Sequence, residues 1–533
     1  MNKIAVYLNQ HLLGEVTSAK SLRKLYATDG SILSIDPEIV AFPRVTNDIR
    51  KIARFTWQLA EKGHTLGITV RGFGGDATGA AIGKGIIIDT SKQLDSIIEV
   101  AVKDKLVHVQ PGVALSLVEE ALRWQGLTVP GAFHRGMRRI SVGGAIANDS
   151  LGVNGSVSDS VKRLEVVLAN GDVIETGRLN KRDISKKLGL QTFEGEIYRK
   201  LEGLLEDNEA LIKKIAADTV RDNTGYKRIA EVKAKDGSFD LTPLFIGSQG
   251  TLGIISEAVL RADFLSMNEI HAVVTTDSMQ SARDLGEKII ELQPAELTVI
   301  DGELLRRATK NGSQFPLIGS VEQVGAVVYT RFSDFKDHSQ QKKLKKLRKL
   351  LSKTNMGLID STQRDAEDFR ALTVIGQILQ LGSPDESIAI PLINGASVPS
   401  NRCEEFETAL KELGEKHHIE LPTEFNVLTC TYTLYPLLKL DSVSDKQKLF
   451  KLLTDYATLI DRCGGAFTAD GAEGRVKANA AWAILNEEEA RLYEQVRQVF
   501  DPFGTLNPGV KQNVELRSLV AVLRSSYDAA SML

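Results

Sequence analysis

Apolar positions recur at two different spacings along this chain, and the two alternate from about residue 40. From Asn47 to Lys62 the residues Ile49, Ile52, Ala53, Phe55, Leu59 and Ala60 form a stripe of helical period. Thr65 to Arg71 then predicts a strand running into glycines, and Ile86–Asp89 and Leu106–Val109 predict short β-branched strands. Ser116–Trp124 returns to helix. Leu164–Ala169 predicts a strand, Asn170-Gly171 a hairpin-type turn, and Val173–Glu175 its partner. A charged helical stretch runs from Phe193 to Ala216, and Leu252–Leu260 is strand-like again. Near Phe264 glycines thin out and longer elements take over, which predicts a domain boundary there. Residues 443–462 predict a helix, and the turn-rich Asp501–Lys511 precedes a C-terminal one.

Residues 334–353 predict a basic amphipathic helix with Leu344, Leu347, Leu350 and Leu351 on one face. Two readings are open: contact with an anionic membrane surface, or packing of the leucines on the helix's own domain.

Composition narrows the function classes. The 533 residues carry 66 Lys+Arg against 69 Asp+Glu, a net charge of −3, which argues against a nucleic-acid partner as the main business. Cys403, Cys430 and Cys463 are odd in number and far apart, without a CxxC pair. That excludes a thiolate zinc site and a disulfide scaffold and suits a reducing compartment. Residues 1–13 lack the long apolar core of a secretory signal, and no apolar run approaches the roughly 18 residues of a membrane span. The expectation is a cytoplasmic chain, with peripheral contact at the inner membrane face left open and no metal. Of the eight histidines none lies beyond His418.

The candidate chemistry sits in glycine-rich turns. Arg71-Gly72-Phe73-Gly74-Gly75-Asp76-Ala77-Thr78-Gly79 follows a predicted strand. Glycines permit positive φ and close approach, and successive N–H groups then form a concavity for an anion such as a pyrophosphate. The spacing is neither that of a Rossmann turn nor that of a P-loop. Two further clusters, Ser141 to Asp149 and Phe245 to Ile255, also adjoin apolar β-rich runs, and Val109 to Val113 holds Pro111-Gly112. Three such turns point to loops converging on one extended anionic ligand, a dinucleotide rather than a mononucleotide.

The order RGFGGDATG, VQPGV, SVGGAIAND, GSQGTLGIISEAVLR, DPFGTLNPGVK resembles the FAD-linked oxidases with the vanillyl-alcohol oxidase type of fold, and within them the D-lactate dehydrogenase and glycolate oxidase branch. The resemblance implies an α+β fold: a two-lobed FAD domain interrupted by an inserted α+β cap that forms the substrate wall. The corresponding division is 1–264 for the FAD domain, 265–490 for the cap, and 491–533 for a segment returning to the FAD domain. It further implies that the backbone around Phe73, Gly74, Gly75 and Asp76 cradles the pyrophosphate, with Arg71, Gly72 and Gly79 also among the cofactor-binding residues. Pro111, Gly112, Ser141, Gly143, Gly144 and Asp149 would line flavin and ribitol. Gly247, Thr251, Gly253 and Ile254 would lie along adenine and isoalloxazine, and Asn507 would reach the flavin. Some members attach FAD through a histidine in the first loop; Asp76 stands there, so noncovalent FAD is expected.

The chain departs from that branch in its chemistry. The Glu-His-Gly-x-Gly-Arg segment, whose histidine takes the hydroxyl proton, reads here Asp470-Gly471-Ala472-Glu473-Gly474-Arg475. The paired metal histidines fall at Asn426 and Thr433, which are poor ligands for a transition metal. Asp470 and Glu473 become the candidate bases, since a carboxylate desolvated against a flavin can take a proton. Arg475 is a candidate partner for a substrate carboxylate or the flavin edge, and Arg370 lies near the branch's substrate arginine. Two functions stay open. One is an FAD-dependent dehydrogenase or oxidase of a CH–OH group, of a 2-hydroxy acid such as D-lactate or else a sugar or aldonolactone, delivering electrons to a quinone, a cytochrome or O2. The other is an FAD carrier with a decayed centre.

Overall fold

The structure is a computed structural model. It describes residues 2–527 apart from 133–139, 154, 267, 337, 355, 363, 365, 381–387 and 391, with the side chains of residues 366, 367 and 370 also outside the description.

Two sheets build the first lobe. One has four strands, in the order Glu15–Thr17, Ile39–Phe42, Ile86–Asp89, Ile68–Arg71; the last three run parallel. Their runs are apolar on both faces because the helix Thr46–Glu61 and the second sheet's Val167 and Ile254 pack on Ile39, Ala41, Ile86 and Ile88, while Leu22 and Tyr26 pack on Val40 and Ile87. That helix has no side-chain cap at its start; Asp48, inside its first turn, accepts from the amides of Leu13, Gly14 and Arg44, each at 2.9 Å. The second sheet is antiparallel, in the order Val173–Glu175, Val161–Val167, Ile254–Arg261, Leu106–Val109, Ile97–Ala101. The hairpin at Asn170-Gly171 forms as expected, with Val167 opposite Val173. The charged stretch after Phe193 is two helices, Phe193–Asp207 and Glu209–Ala217, broken at Asn208.

Beyond Phe264 the chain builds a seven-stranded antiparallel sheet, the cap. Alternation along Asn268–Thr276 sends Ala272 and Val274 to one face and Val273 to the other. The helices Met279–Ile290 and Ser339–Leu351 cover the first face; Gly302–Lys310, Ala366–Thr373 and Ile375–Gln380 cover the second. In Ser339–Leu351 the residues Leu344, Leu347 and Leu351 are buried on the sheet while Lys342, Lys345, Lys346 and Lys349 are exposed. Exposing a buried leucine costs about 1.5–3 kcal/mol each, so this helix has no apolar face to offer a bilayer. Among the described residues no helix is long and apolar enough to cross a membrane.

The chain crosses back to the first lobe earlier than residue 491. Ala466 still pairs with Ser397 of the cap, but Thr468 already bonds the Asp222–Thr224 segment, and Gly474 lies against Thr78. Leu506 then bridges to Ile68 at the sheet edge.

Candidate active site

The three glycine-rich segments meet in one cleft of about 330 Å3. Gly72 to Thr78 form one wall; Pro111, Ser141, Gly143, Gly144 and Asn148 form another; Ser248, Gln249, Gly250, Gly253 and Ile254 close the floor. From the cap, the described residues facing it are Gln377 and Asn394, and beside them stands Asp470 of the segment that crosses back to the first lobe.

Each wall has a local cause. Gly74, at φ 75°, sits on the Arg71 guanidinium, where a Cβ would collide. Arg71 itself faces away from the cleft, donating to the Thr28 carbonyl at 2.6 Å and lying over the Tyr26 ring. Asp76 ties the loop into a turn by accepting from Thr78 N and Ala80 N at 3.0 Å and from Thr78 Oγ1 at 2.6 Å. Among the described residues nothing accepts a hydrogen bond from the amides of Gly74, Asp76 and Ala77. Unpaired amides on a loop that lines a cleft fit a pyrophosphate without a charged side chain.

The SVGGAIAND cluster, expected as a turn, is the short helix Val142–Asn148, its Ser141 cap accepting from Gly144 N at 3.2 Å. Gly143 is needed because a Cβ there would lie 2.6 Å from that of Pro111. Asp149 ends the helix at φ 53° and is fully buried behind it, bound to Arg221 at 2.6 Å and Arg228 at 3.1 Å. Burial pushes its carboxyl up, and the two guanidinium groups outweigh this and hold it below the usual range. Gly79, Gly112, Gly247 and Thr251 also lie behind the lining; Thr251 donates to the Ser248 carbonyl at 2.7 Å.

Gln249, which nothing in its glycine-rich stretch marks as a functional residue, joins three segments. Its Nε2 donates to Thr78 Oγ1 at 3.0 Å and Asn148 Oδ1 at 2.9 Å, and its Oε1 accepts from Gly474 N at 2.9 Å. Asn507 does not reach the cleft. It braces the loops from behind, donating Nδ2 to the carbonyls of Ala80 and Gln249 at 2.9 and 2.8 Å. Asn507→Ala is expected to destabilise the fold by about 1–3 kcal/mol, because two carbonyls lose their buried donor. Denaturant titration checks this, and weaker FAD retention should accompany it.

The three candidate catalytic residues part company. Asp470 lines the cleft, with its backbone N–H on the Gly395 carbonyl at 2.9 Å and its Oδ1 accepting from Leu151 N at 2.8 Å. Glu473 does not. It is fully buried, bound to Lys511 Nζ at 2.7 Å, Gly225 N at 2.9 Å and Trp482 Nε1 at 3.1 Å. Arg475 is buried away from the cleft, donating to the carbonyls of Ile82 and Pro508; burial lowers its guanidinium to about 10. The side chain of Arg370 lies outside the described residues.

Gly471 has a steric reason. It adopts φ 73°, and a Cβ would lie 2.8 Å from Asn148 Nδ2. Gly471→His is therefore expected to lower stability by about 1–2 kcal/mol through the left-handed backbone alone and to give no gain in turnover, as thermal melts and steady-state assays would show. Asn426, at one metal-histidine position, accepts from Leu428 N at 3.0 Å and donates to the Val153 carbonyl. No group of three or more His, Cys, Asp or Glu able to hold a metal occurs among the described residues. His417 is buried against Asp455 at 2.8 Å.

Residues 37–177 match the model of the FAD binding domain family, and residues 267–510 match the C-terminal domain of FAD linked oxidases. The chain belongs to the FAD-linked oxidases. FAD is its cofactor, held noncovalently, with Asp76 engaged in its own loop. Relatives of this FAD-linked oxidase include D-2-hydroxyglutarate dehydrogenase of Pantoea ananatis, 25% identical over 97% of this chain and 52% of that protein. The glycolate oxidase subunit GlcD of Bacillus subtilis is 23% identical, covering 89% of this chain and 88% of that one. A D-lactate dehydrogenase of Archaeoglobus fulgidus is 24% identical, covering 88% and 90%. The chain thus spans about half the length of the D-2-hydroxyglutarate dehydrogenases it matches. Among solved structures, 4-ethylphenol oxidase of Gulosibacter chungangensis superposes with a TM-score of 0.67 at 14% identity, over 96% of this chain and 97% of that one. p-Cresol methylhydroxylase gives 0.66 at 13% identity, over 97% of both chains. The two-lobed fold with an inserted cap is that of these enzymes.

Proposed function

We propose that this FAD-linked oxidase oxidises the CH–OH group of a small 2-hydroxy acid of the D-lactate and D-2-hydroxyglutarate kind. The observation that carries the reading is the cleft itself: glycine loops of the FAD domain on one side, and on the other a wall formed by Gln377 and Asn394 of the cap with the carboxylate of Asp470 beside them. The names of its relatives, a D-2-hydroxyglutarate and a D-lactate dehydrogenase, support that substrate class. FAD, when bound, supplies the hydride acceptor at its flavin N5. The protein holds it through the amides of the Phe73–Ala77 loop and shields it beneath the cap. Asp470 Oδ takes the hydroxyl proton of the substrate, a role open to a carboxylate fixed by the Leu151 amide. Gln377 and Asn394 orient the substrate from the same wall. Glu473 and Arg475 hold the C-terminal segment in place rather than touch substrate. The electrons pass on to a quinone, a cytochrome or O2.

Anaerobic mixing of the holoprotein with D-lactate, D-2-hydroxyglutarate, glycolate and a set of sugars and aldonolactones tests this. Bleaching of the flavin band by a hydroxy acid is the expected outcome. Bleaching only by a sugar would move the substrate class, and none by any compound would favour a decayed FAD carrier.

A further inference from the structure

The cap helix Ser339–Leu351 turns outward a face that nothing else in the fold uses. Its 13 residues include no Asp or Glu. On the helical period Lys342, Lys345, Lys346 and Lys349 fall within about 100° of one another, opposite Leu344, Leu347 and Leu351. All four are exposed, and the exposed Lys336 and Lys353 stand just beyond the two ends of the helix. The basic residues on its flanks are occupied. Lys343 lies 3.9 Å from Asp334 and donates to the Gln293 carbonyl at 2.9 Å, and Arg348 donates to Asp360 at 2.8 Å. The six exposed lysines form no ion pair among the described residues, not even with the exposed Asp284 and Glu287 of the neighbouring helix Met279–Ile290.

Like charges three and four positions apart on a helix repel, so a row of lysines with no carboxylate between them works against the helix. The burial of Leu347 and Leu351 in the core holds it in place. Lys342 to Lys349 spans about 10 Å of helix. That is no more than the screening length of about 10 Å at 0.1 M salt, so the four charges act on an anionic surface together. The whole chain carries a net charge of −3, which makes this a local excess. Phe335, beside Lys336 and directly after the strand Ala326–Asp334, is 62% exposed. An aromatic ring next to a row of lysines suits the headgroup layer of a bilayer.

We propose that the lysine face of Ser339–Leu351 docks the protein on an anionic lipid surface. The leucines stay on the sheet, so the helix adsorbs by charge, with Phe335 at its edge entering the headgroup layer, and does not insert. Gln377 reaches the cleft from a helix on the opposite face of the same sheet, so docking leaves the cleft open. The contact is independent of which substrate the cleft takes.

Sedimentation of the FAD-loaded full chain with lipid vesicles tests this. Binding is expected to vesicles of phosphatidylglycerol mixed with phosphatidylcholine, and not to phosphatidylcholine alone. It should fade as salt approaches 1 M, where the screening length falls to about 3 Å. Combining Lys342→Gln, Lys345→Gln, Lys346→Gln and Lys349→Gln should weaken the partition by about 10²–10³-fold, at about fivefold per lysine. The same four positions changed to arginine should bind as the wild type does. Phe335→Ala should weaken binding by about tenfold. Because all five side chains are exposed, every variant should keep its melting temperature and its FAD content. Equal binding to both kinds of vesicle, binding to neither, or a glutamine variant that binds like the wild type would overturn the proposal. So would retention on polyglutamate without vesicle binding, which would point to an acidic protein as the partner instead.

Discussion

Lys511→Met is expected to destabilise the protein by about 3–5 kcal/mol, the usual consequence of stranding one partner of a buried ion pair. Lys511 and Glu473 are both fully buried and 2.7 Å apart. The ammonium also donates to the Asn223 carbonyl at 2.7 Å, while Glu473 accepts from Gly225 N and Trp482 Nε1. Four stretches of chain thus converge on one pair: the C-terminal tail, the 223–225 loop, the 473 turn and the helix Ala478–Ala483. Burial pushes the Lys511 ammonium down from its ordinary value, with Glu473 opposing. Without Lys511 the carboxylate keeps its two neutral donors and loses its hydrogen-bonded counter-charge at a fully buried position. The double variant Lys511→Met with Glu473→Gln should recover part of the loss, because replacing both charges removes the desolvation penalty with the pair. Equilibrium denaturation of the three variants measures this. A double variant no more stable than the singles would mean that the hydrogen bonds, rather than the charges, hold the tail. Protein that survives as Glu473→Gln should reduce its flavin at a near wild-type rate, since Glu473 does not face the cleft.

The second large effect is on chemistry. Asp470→Asn is expected to slow flavin reduction by about 10²–10⁴-fold, the contribution typical of a general base. The amide keeps the shape of the carboxylate and its contact with Leu151 N, but cannot take a proton. FAD affinity and the melting temperature should change little, which separates lost chemistry from lost fold. Stopped-flow reduction under anaerobic conditions is the measurement. A decrease below tenfold would remove Asp470 as base and direct attention to the substrate's own protonation state.

The elements of this fold were legible where period and turn chemistry agree. The stripe from Ile49 to Ala60, the Asn170-Gly171 hairpin and the strand through Ile86–Asp89 each form where the pattern placed them. The helix after Ser141 was not, because its two glycines read as turn formers, while in the fold they let a helix press against Pro111. The cofactor's loops were legible for a related reason. Glycine at a positive φ or a close approach has few substitutes, so the need shows in the residue itself.

The catalytic triplet shows the limit. Asp470, Glu473 and Arg475 stand within six positions, and chemistry alone made all three candidates. Their side chains go to three places, because the turn around Gly471 and Gly474, at φ 73° and 55°, rotates each away from the last. Lys511 gave no signal at all, since a lysine in sequence normally reads as a solvated charge. The sequence by itself determined the cofactor class, the two-lobed architecture and the absence of the branch's histidines, all of which depend on local residue identity and order. Only the tertiary structure decided which charges face the cleft and which are locked in the interior. Burial and counter-charge are set by segments more than two hundred residues apart, such as Asn223 and Lys511, and no local pattern encodes that distance.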